Sequence, residues 1–322
     1  MLLIKKWTYL FSKMPTVFSL FAGSVLVVWQ GLSGSIPPSV QMAFFIVFLF
    51  VAGIPHGAVD HLVEAETAKR QQKIFRFPRF ILKYVGIMLF YTVAWYFLPS
   101  LSLLFFLVIS AWHFGETDIE KAPSTALWHL ARFTFGSFVI LLILLNHVDD
   151  TTPILNRISQ KSDSVMSIWA ILSIYKTVIW VNSFVISASF ALFAYIQQPV
   201  YIDKRRYSIL FLLLILTCFL PLLPAFALYF GGWHALSSFK MTHEYLVHKG
   251  DFFSPTQKWQ SVFTVWKKTL FFTMLAFLSF VCATYYWLHF LKTWDPLPLL
   301  FIFLSLITLP HFNVMRAMNK YV

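Results

Sequence analysis

Charge is what this sequence lacks. Only 12% of its residues are Asp, Glu, Lys or Arg, about half the share of an ordinary soluble domain. Acid is scarcer still, 13 carboxylates against 25 basic residues, for a formal net charge of +12. Cysteine is nearly absent: Cys218 and Cys282 stand alone, without a CxxC pair. A disulfide framework and a thiolate metal site are thereby excluded, and two buried free thiols are expected. No GxGxxG, P-loop or GxSxG motif occurs, so nucleotide cofactors and serine chemistry have no anchor. The dense HxxxH and HxxHH clusters of diiron membrane oxidases are missing too, and so is any nucleic-acid motif.

What remains is apolar. Of the 322 residues 59% are hydrophobic, in repeated runs of membrane length without the alternation of a transmembrane β-barrel. The expected fold class is all-α: a polytopic integral membrane protein forming a single transmembrane helical domain over 1–322. About ten helical spans are read, at 16–31, 39–57, 80–98, 100–115, 126–145, within 166–197, 207–220, 221–239, 270–291 and 298–314. Pro221 and Pro224 make the seventh and eighth spans either one kinked helix or two short spans joined by a tight turn. Polar loops are expected at 149–163 and 249–260.

Basic residues arbitrate. Lys5, Lys6 and Lys13 precede the first run. On the same side of a ten-span chain fall Lys69, Arg70, Lys73, Arg76, Arg79 and Lys83, then Lys204, Arg205 and Arg206. Lys240, Lys249, Lys258, Lys267 and Lys268 follow, with Arg316 and Lys320. The other side receives Arg157, Lys161, Lys176 and Lys292. This asymmetry predicts two short spans at 207–239 and both termini in the cytoplasm of a multi-pass protein of the bacterial inner membrane. The first helix is read as retained rather than as a signal peptide.

Histidines mark the same ends of the even-numbered spans. The stretch organising the chain is Gly53-Ile54-Pro55-His56-Gly57-Ala58-Val59-Asp60-His61. Trp112-His113-Phe114-Gly115-Glu116-Thr117-Asp118, Gly231-Gly232-Trp233-His234 and Leu309-Pro310-His311 end three further runs. Ionisable groups at membrane depth are functional by default. His56, His113, His234 and His311 are the expected metal ligands at a histidine-lined site. Asp60, four residues after His56, is read as an outer-shell acceptor or further ligand, as is Asp118. Glu116 is a second candidate to steady an imidazole. Each proline before a histidine frees a carbonyl one turn earlier. His61 is read as pointing elsewhere, His243 and His248 as solvated, and His129, His147 and His289 as ordinary interfacial residues. Four imidazoles without thiolate suit non-haem iron, with zinc and copper as the other candidates.

Together these motifs resemble the Brp/Blh family of membrane β-carotene 15,15′-dioxygenases. Gly53-Ile54-Pro55-His56-Gly57-Ala58-Val59-Asp60, His113-Phe114-Gly115 followed by Asp118, Tyr229-Phe230-Gly231-Gly232-Trp233-His234 and Pro310-His311 carry the likeness over about 40–318. The resemblance implies a carotenoid-cleaving oxidoreductase that uses Fe(2+) and O2 to split β-carotene into retinal. It further implies a lipid-dissolved substrate and a functional link to a retinal-binding rhodopsin. By matching motif, His56, His113 and His234 would hold the iron. Ser238 departs from the pattern, standing where such enzymes often carry a second histidine four residues on, and is read as an alternative or outer ligand. Two other readings are a metalloenzyme oxidising another carotenoid or isoprenoid, and a non-enzymatic carotenoid scaffold or transporter.

Overall fold

Proline sets several helix starts. Pro38, Pro78 and Pro99 each stand in the first turn of a helix, where a missing N–H leaves no carbonyl waiting. The computed structural model describes residues 15–247, 255–291 and 297–321, and no strand occurs among them. Lys5, Lys6, Lys13, His248, Lys249, Lys292 and Val322 lie outside the described residues. Among the described residues eight helices are long and apolar enough to cross a membrane.

In chain order the helices are α1 (Pro15–Ser33), α2 (Pro38–Arg70), α3 (Phe77–Phe97), α4 (Pro99–Asp118), α5 (Ala126–Asn146), α6 (Val148–Ile158), α7 (Asp163–Ile174) and α8 (Lys176–Gln197). There follow α9 (Lys204–Thr217), α10 (Leu222–Tyr229), α11 (Leu236–Leu246), α12 (Pro255–Leu291) and α13 (Leu297–Met318). Two π-helical turns interrupt this pattern, Leu49–Gly53 inside α2 and Phe230–Ala235 between α10 and α11.

Backbone contacts divide the chain into two compact units, each built from two separated stretches. The first joins Met1–Glu66 to Ile202–Thr273. Its α9 and α10 form an antiparallel hairpin. Arg206, near the start of α9, meets Trp233 and Ser237, whereas Leu216, near its end, meets the same residue as Leu228, Gly23 of α1. The turn lies at residues 218–221. Pro221 takes an extended ψ of 160° there and offers no N–H to prolong the helix. Thr217 Oγ1 and Cys218 Sγ both donate to the Leu214 carbonyl, which satisfies an orphan acceptor of the last turn. The expected tight turn is there, but neither of the two segments read as short spans is among the eight helices long and apolar enough to cross a membrane.

The second unit joins Thr67–Tyr201 to Met274–Val322. In it α5 packs against both α4 and α8, and α13 packs against α3, α4 and α6. Ile119, Trp128, Ala131 and Ala194 form a buried cluster in the first of these layers. Trp95 Nε1 donates to Ser305 Oγ at 2.8 Å, tying α3 to α13, and Tyr91 Oη donates to the Ser102 carbonyl at 2.7 Å.

Two expectations change, and the run 166–197, too long for one crossing, is resolved into its parts. Residues 149–163 are not a loop: most form α6, which buries Thr151, Ile154, Leu155 and Ile158 on one face and places Asp149 and Asp150 in its first turn, where carboxylates stabilise a helix. The long run 166–197 is two helices broken at Tyr175, and Lys176 opens the second. Cys218 and Cys282 are free but exposed, because the helix faces that carry them look outward rather than into a packed core.

Candidate metal centre: two buried histidine pairs

In the first unit the geometry starts from Pro55. Its missing N–H leaves the carbonyl of Val51 without a helical donor. That carbonyl instead accepts the indole N–H of Trp266, from α12, at 3.0 Å. Just before it the helix widens into the Leu49–Gly53 π turn, where the Ile54 N–H reaches back to the Leu49 carbonyl. Such single-turn bulges insert one residue and re-aim the side chains that follow. His56 Nδ1 makes a short contact with the Gly53 carbonyl. A proton on Nδ1 is the donor in that contact, which leaves the Nε2 lone pair for a ligand.

The second π turn, Phe230–Ala235, carries Gly231, Gly232, Trp233 and His234. A Cβ on Gly231 would stand 2.8 Å from Phe48 Cβ, and one on Gly232 would stand 2.8 Å from the Ser19 side chain. A Cβ on Gly53 would lie 3.1 Å from the Phe230 ring. These glycines let the two π turns lie against each other. His56 and His234 thereby come to 5.5 Å between ring centres, with planes 89° apart. Phe230 stacks on His234 at 6.0 Å and meets His56 edge-on at 5.7 Å.

The second unit brings together the other pair. Its α4 and α5 cross on small residues. A Cβ on Gly115 would fall 1.9 Å from the Arg132 carbonyl oxygen, and one on Gly136 would fall 1.8 Å from that of Ala111. This is the close backbone approach that small-xxx-small patterns permit in membranes. His113 lies about half a turn from Ala111 and Gly115, so it points away from α5. Its ring meets His311 of α13 at 4.9 Å and 86°, with Phe312 at 6.3 Å. The Arg132 guanidinium closes the end of α4 by donating to the carbonyls of Ile119, Ala122 and Pro123.

All four histidines are buried, with exposures of 5% for His56, 3% for His113 and His311, and none for His234. An imidazole nitrogen sits about 2.1 Å from a first-row metal ion, which puts the ring centre roughly 3.2 Å away. Two such rings at angles of about 90–120° stand roughly 4.5–5.5 Å apart. Both observed separations fall in that interval, and both pairs are near perpendicular. A donor set of imidazoles with no thiolate suits several first-row ions, iron, zinc and copper among them. The buried histidines are thus able to hold a metal ion.

The remaining candidates are placed as follows. Asp60 and Asp118 are buried, at 2% and 0% exposure. Glu116 accepts from Trp112 Nε1 at 3.0 Å and from Asn319 Nδ2 at 3.4 Å. Ser238, one turn beyond His234, is wholly buried, and its hydroxyl has no hydrogen-bond partner among the described residues. His61 turns aside, with Nδ1 against the Ala58 carbonyl and its ring 4.8 Å from Phe272. His243, expected in solvent, is buried and bonded through Nε2 to Ser261 Oγ at 3.0 Å, because its helix face turns onto α12. His129 stacks on Trp112, and His289 stacks on Tyr285. Sequence reasoning missed Trp266, Phe230 and Arg206. Only the Trp–His doublets at 112–113 and 233–234 could have signalled the supporting roles of neighbouring residues.

A polytopic helical membrane protein with pairs of buried histidines falls in the class of helical membrane proteins whose side chains could hold a metal ion. A family profile described as Beta-carotene 15,15′-dioxygenase matches residues 46–319. The chain belongs to that family, a family of carotenoid-cleaving enzymes. It is also 28% identical over 207 residues to a protein named Beta-carotene 15,15′-dioxygenase from an uncultured marine bacterium, 66A03, covering 63% of this chain and 69% of that one. No solved structure matches it.

Proposed function

We propose that this chain splits the central double bond of β-carotene with O2, giving two molecules of retinal. One O2 is consumed per alkene, and each carbon of the broken bond takes one oxygen atom. His56, His113, His234 and His311 are assigned as metal ligands, and the metal as Fe(2+). The observation that carries this reading is that the family match over 46–319 contains both histidine pairs, each at the ring separation that ligands of one ion adopt.

Bound there, iron supplies the one-electron chemistry that lets O2 react with a closed-shell alkene. The chain's own contribution is positioning. The Gly53 carbonyl holds the His56 proton on Nδ1, and the perpendicular packing within each pair fixes the imidazole planes. Phe230 and Phe312, next to the histidines, keep water from the donor atoms and offer apolar surface to a polyene. A carotenoid dissolved in the bilayer leaves one apolar medium for another, so length and end-group shape, not hydrophobicity, set selectivity. Asp60 and Asp118 are assigned to the outer shell. The chain acts as one transmembrane domain in the bacterial inner membrane, and its retinal serves a rhodopsin-type protein of the same cell.

Expression in a bacterium that makes β-carotene tests the reading. Colour should fade and retinal accumulate only with iron and air. Folded, iron-loaded protein that leaves β-carotene intact refutes it.

A further inference from the structure

His113 and His234 each follow a tryptophan, and a charged side chain holds each of those tryptophans. In the first unit the Arg206 guanidinium lies 4.8 Å from the centre of the Trp233 ring. Arg206 belonged by sequence to an exposed basic cluster. Instead it is 9% exposed, and Trp233 is 1% exposed. Arg206 Nη1 also donates to Ser237 Oγ at 3.5 Å. Its start position is fixed in turn, since Asp203 caps α9 by accepting the Arg206 backbone N–H at 3.1 Å. In the second unit Trp112 Nε1 donates to Glu116, and Glu116 accepts from Asn319 at the end of the helix that carries His311.

We infer that Arg206 and Glu116 are positioning residues: each fixes the direction of a histidine through the tryptophan that precedes it. Successive helical side chains differ by about 100° in azimuth, so an indole locked in rotation sets where the next imidazole points. The need is greatest at His234, which sits inside a π turn where the regular ladder of bonds is interrupted. Apolar packing would fill the same space without direction. A cation over a ring face and an N–H aimed at a carboxylate are both directional. Glu116 has the further effect of tying the His113 helix to the His311 helix. Ser237 and Ser238, adjacent on α11, divide the work: the first meets the arginine, and the second lies one turn from His234.

The inference rests on the reading of His113 and His234 as iron ligands, so its test needs a readout that works without iron. Arg206→Met, Arg206→Lys, Glu116→Leu and Glu116→Gln are purified in detergent, with the exposed Lys204→Met on the same helix as α9's control. Two quantities are measured: the imidazole resonances of metal-free protein labelled with nitrogen-15 histidine, and iron affinity against a competing chelator. Arg206→Met should split or broaden the His234 signal and weaken iron binding roughly 10–100-fold, as loss of an outer-shell partner does. Arg206→Lys should recover most of both. Glu116→Leu should do the same at His113, Glu116→Gln, which keeps an oxygen to accept the indole N–H, should recover most of the signal, and Lys204→Met should change neither. If Arg206→Met does not fold, Arg206→Gln takes its place, keeping a donor for Ser237 but no cation over the indole. Unchanged His234 and His113 signals in the folded variants overturn the inference, whatever the melting temperature. An unmodified protein that binds no iron, with the splitting still present, upholds the positioning role and removes the iron reading instead.

Discussion

The carbonyl of Val51 and the indole of Trp266 are joined across 215 positions of sequence by a 3.0 Å hydrogen bond. The bond exists because Pro55 has no N–H to give. Trp266→Phe removes that donor, at a cost of about 0.5–1.5 kcal/mol. Unfolding in mixed detergent micelles should shift accordingly. Adding Pro55→Ala restores a backbone N–H one turn on, so the double variant should regain much of the loss. Purely additive destabilisation would refute the assignment.

The α4–α5 crossing tolerates no side chain on its glycines. Gly115→Ala and Gly136→Ala would each drive a methyl to within 2 Å of a carbonyl oxygen, forcing the helices apart. A loss of roughly 1–3 kcal/mol or more is expected, together with His113 metal binding. Gly86→Ala, which meets nothing within 4 Å, should be silent in the same thermal assay.

The fourth iron position separates His311 from Ser238. A serine hydroxyl is a far weaker iron donor than imidazole. His311→Ala should lower iron per folded chain or retinal yield by about 10–100-fold, and by more as a direct ligand. Ser238→Ala should leave both nearly unchanged. Full iron and activity in His311→Ala, with loss in Ser238→Ala, would reverse the roles.

Orientation follows the basic residues. Reporter fusions at Lys249 and Val322 should both read cytoplasm. An external signal at Lys249 would contradict the orientation read from the basic residues.

Much of this was legible in the residues, for physical reasons. Membrane-length apolar runs identify themselves, and the placement of basic residues favoured a turn near Pro221 over one kinked helix. The four histidines stood out because buried imidazoles are rare without purpose. Partnership was not legible: nothing near His56 in sequence points to His234, whose approach is set by glycines at 53, 231 and 232, the last two packing on Phe48 and Ser19. The π turns left no trace either, because the same side chains suit an α-helix. Residues 149–163 looked like a loop because Asp149, Asp150 and Pro153 outweighed the stripe of Ile154, Leu155 and Ile158. His243 was misjudged because a polar neighbourhood in sequence became a buried one once α11 met α12.

The interleaving of the two units also sets a timetable. Each histidine pair draws one member from the early chain and one from the late chain, His56 with His234 and His113 with His311. At roughly 5–20 residues per second of translation, the first member of each pair waits on the order of tens of seconds for its mate. Neither pair exists while the ribosome is still working through the first two hundred residues or so. Any ion held by a pair must therefore bind after the later histidine of that pair has been made, more than two hundred residues into synthesis.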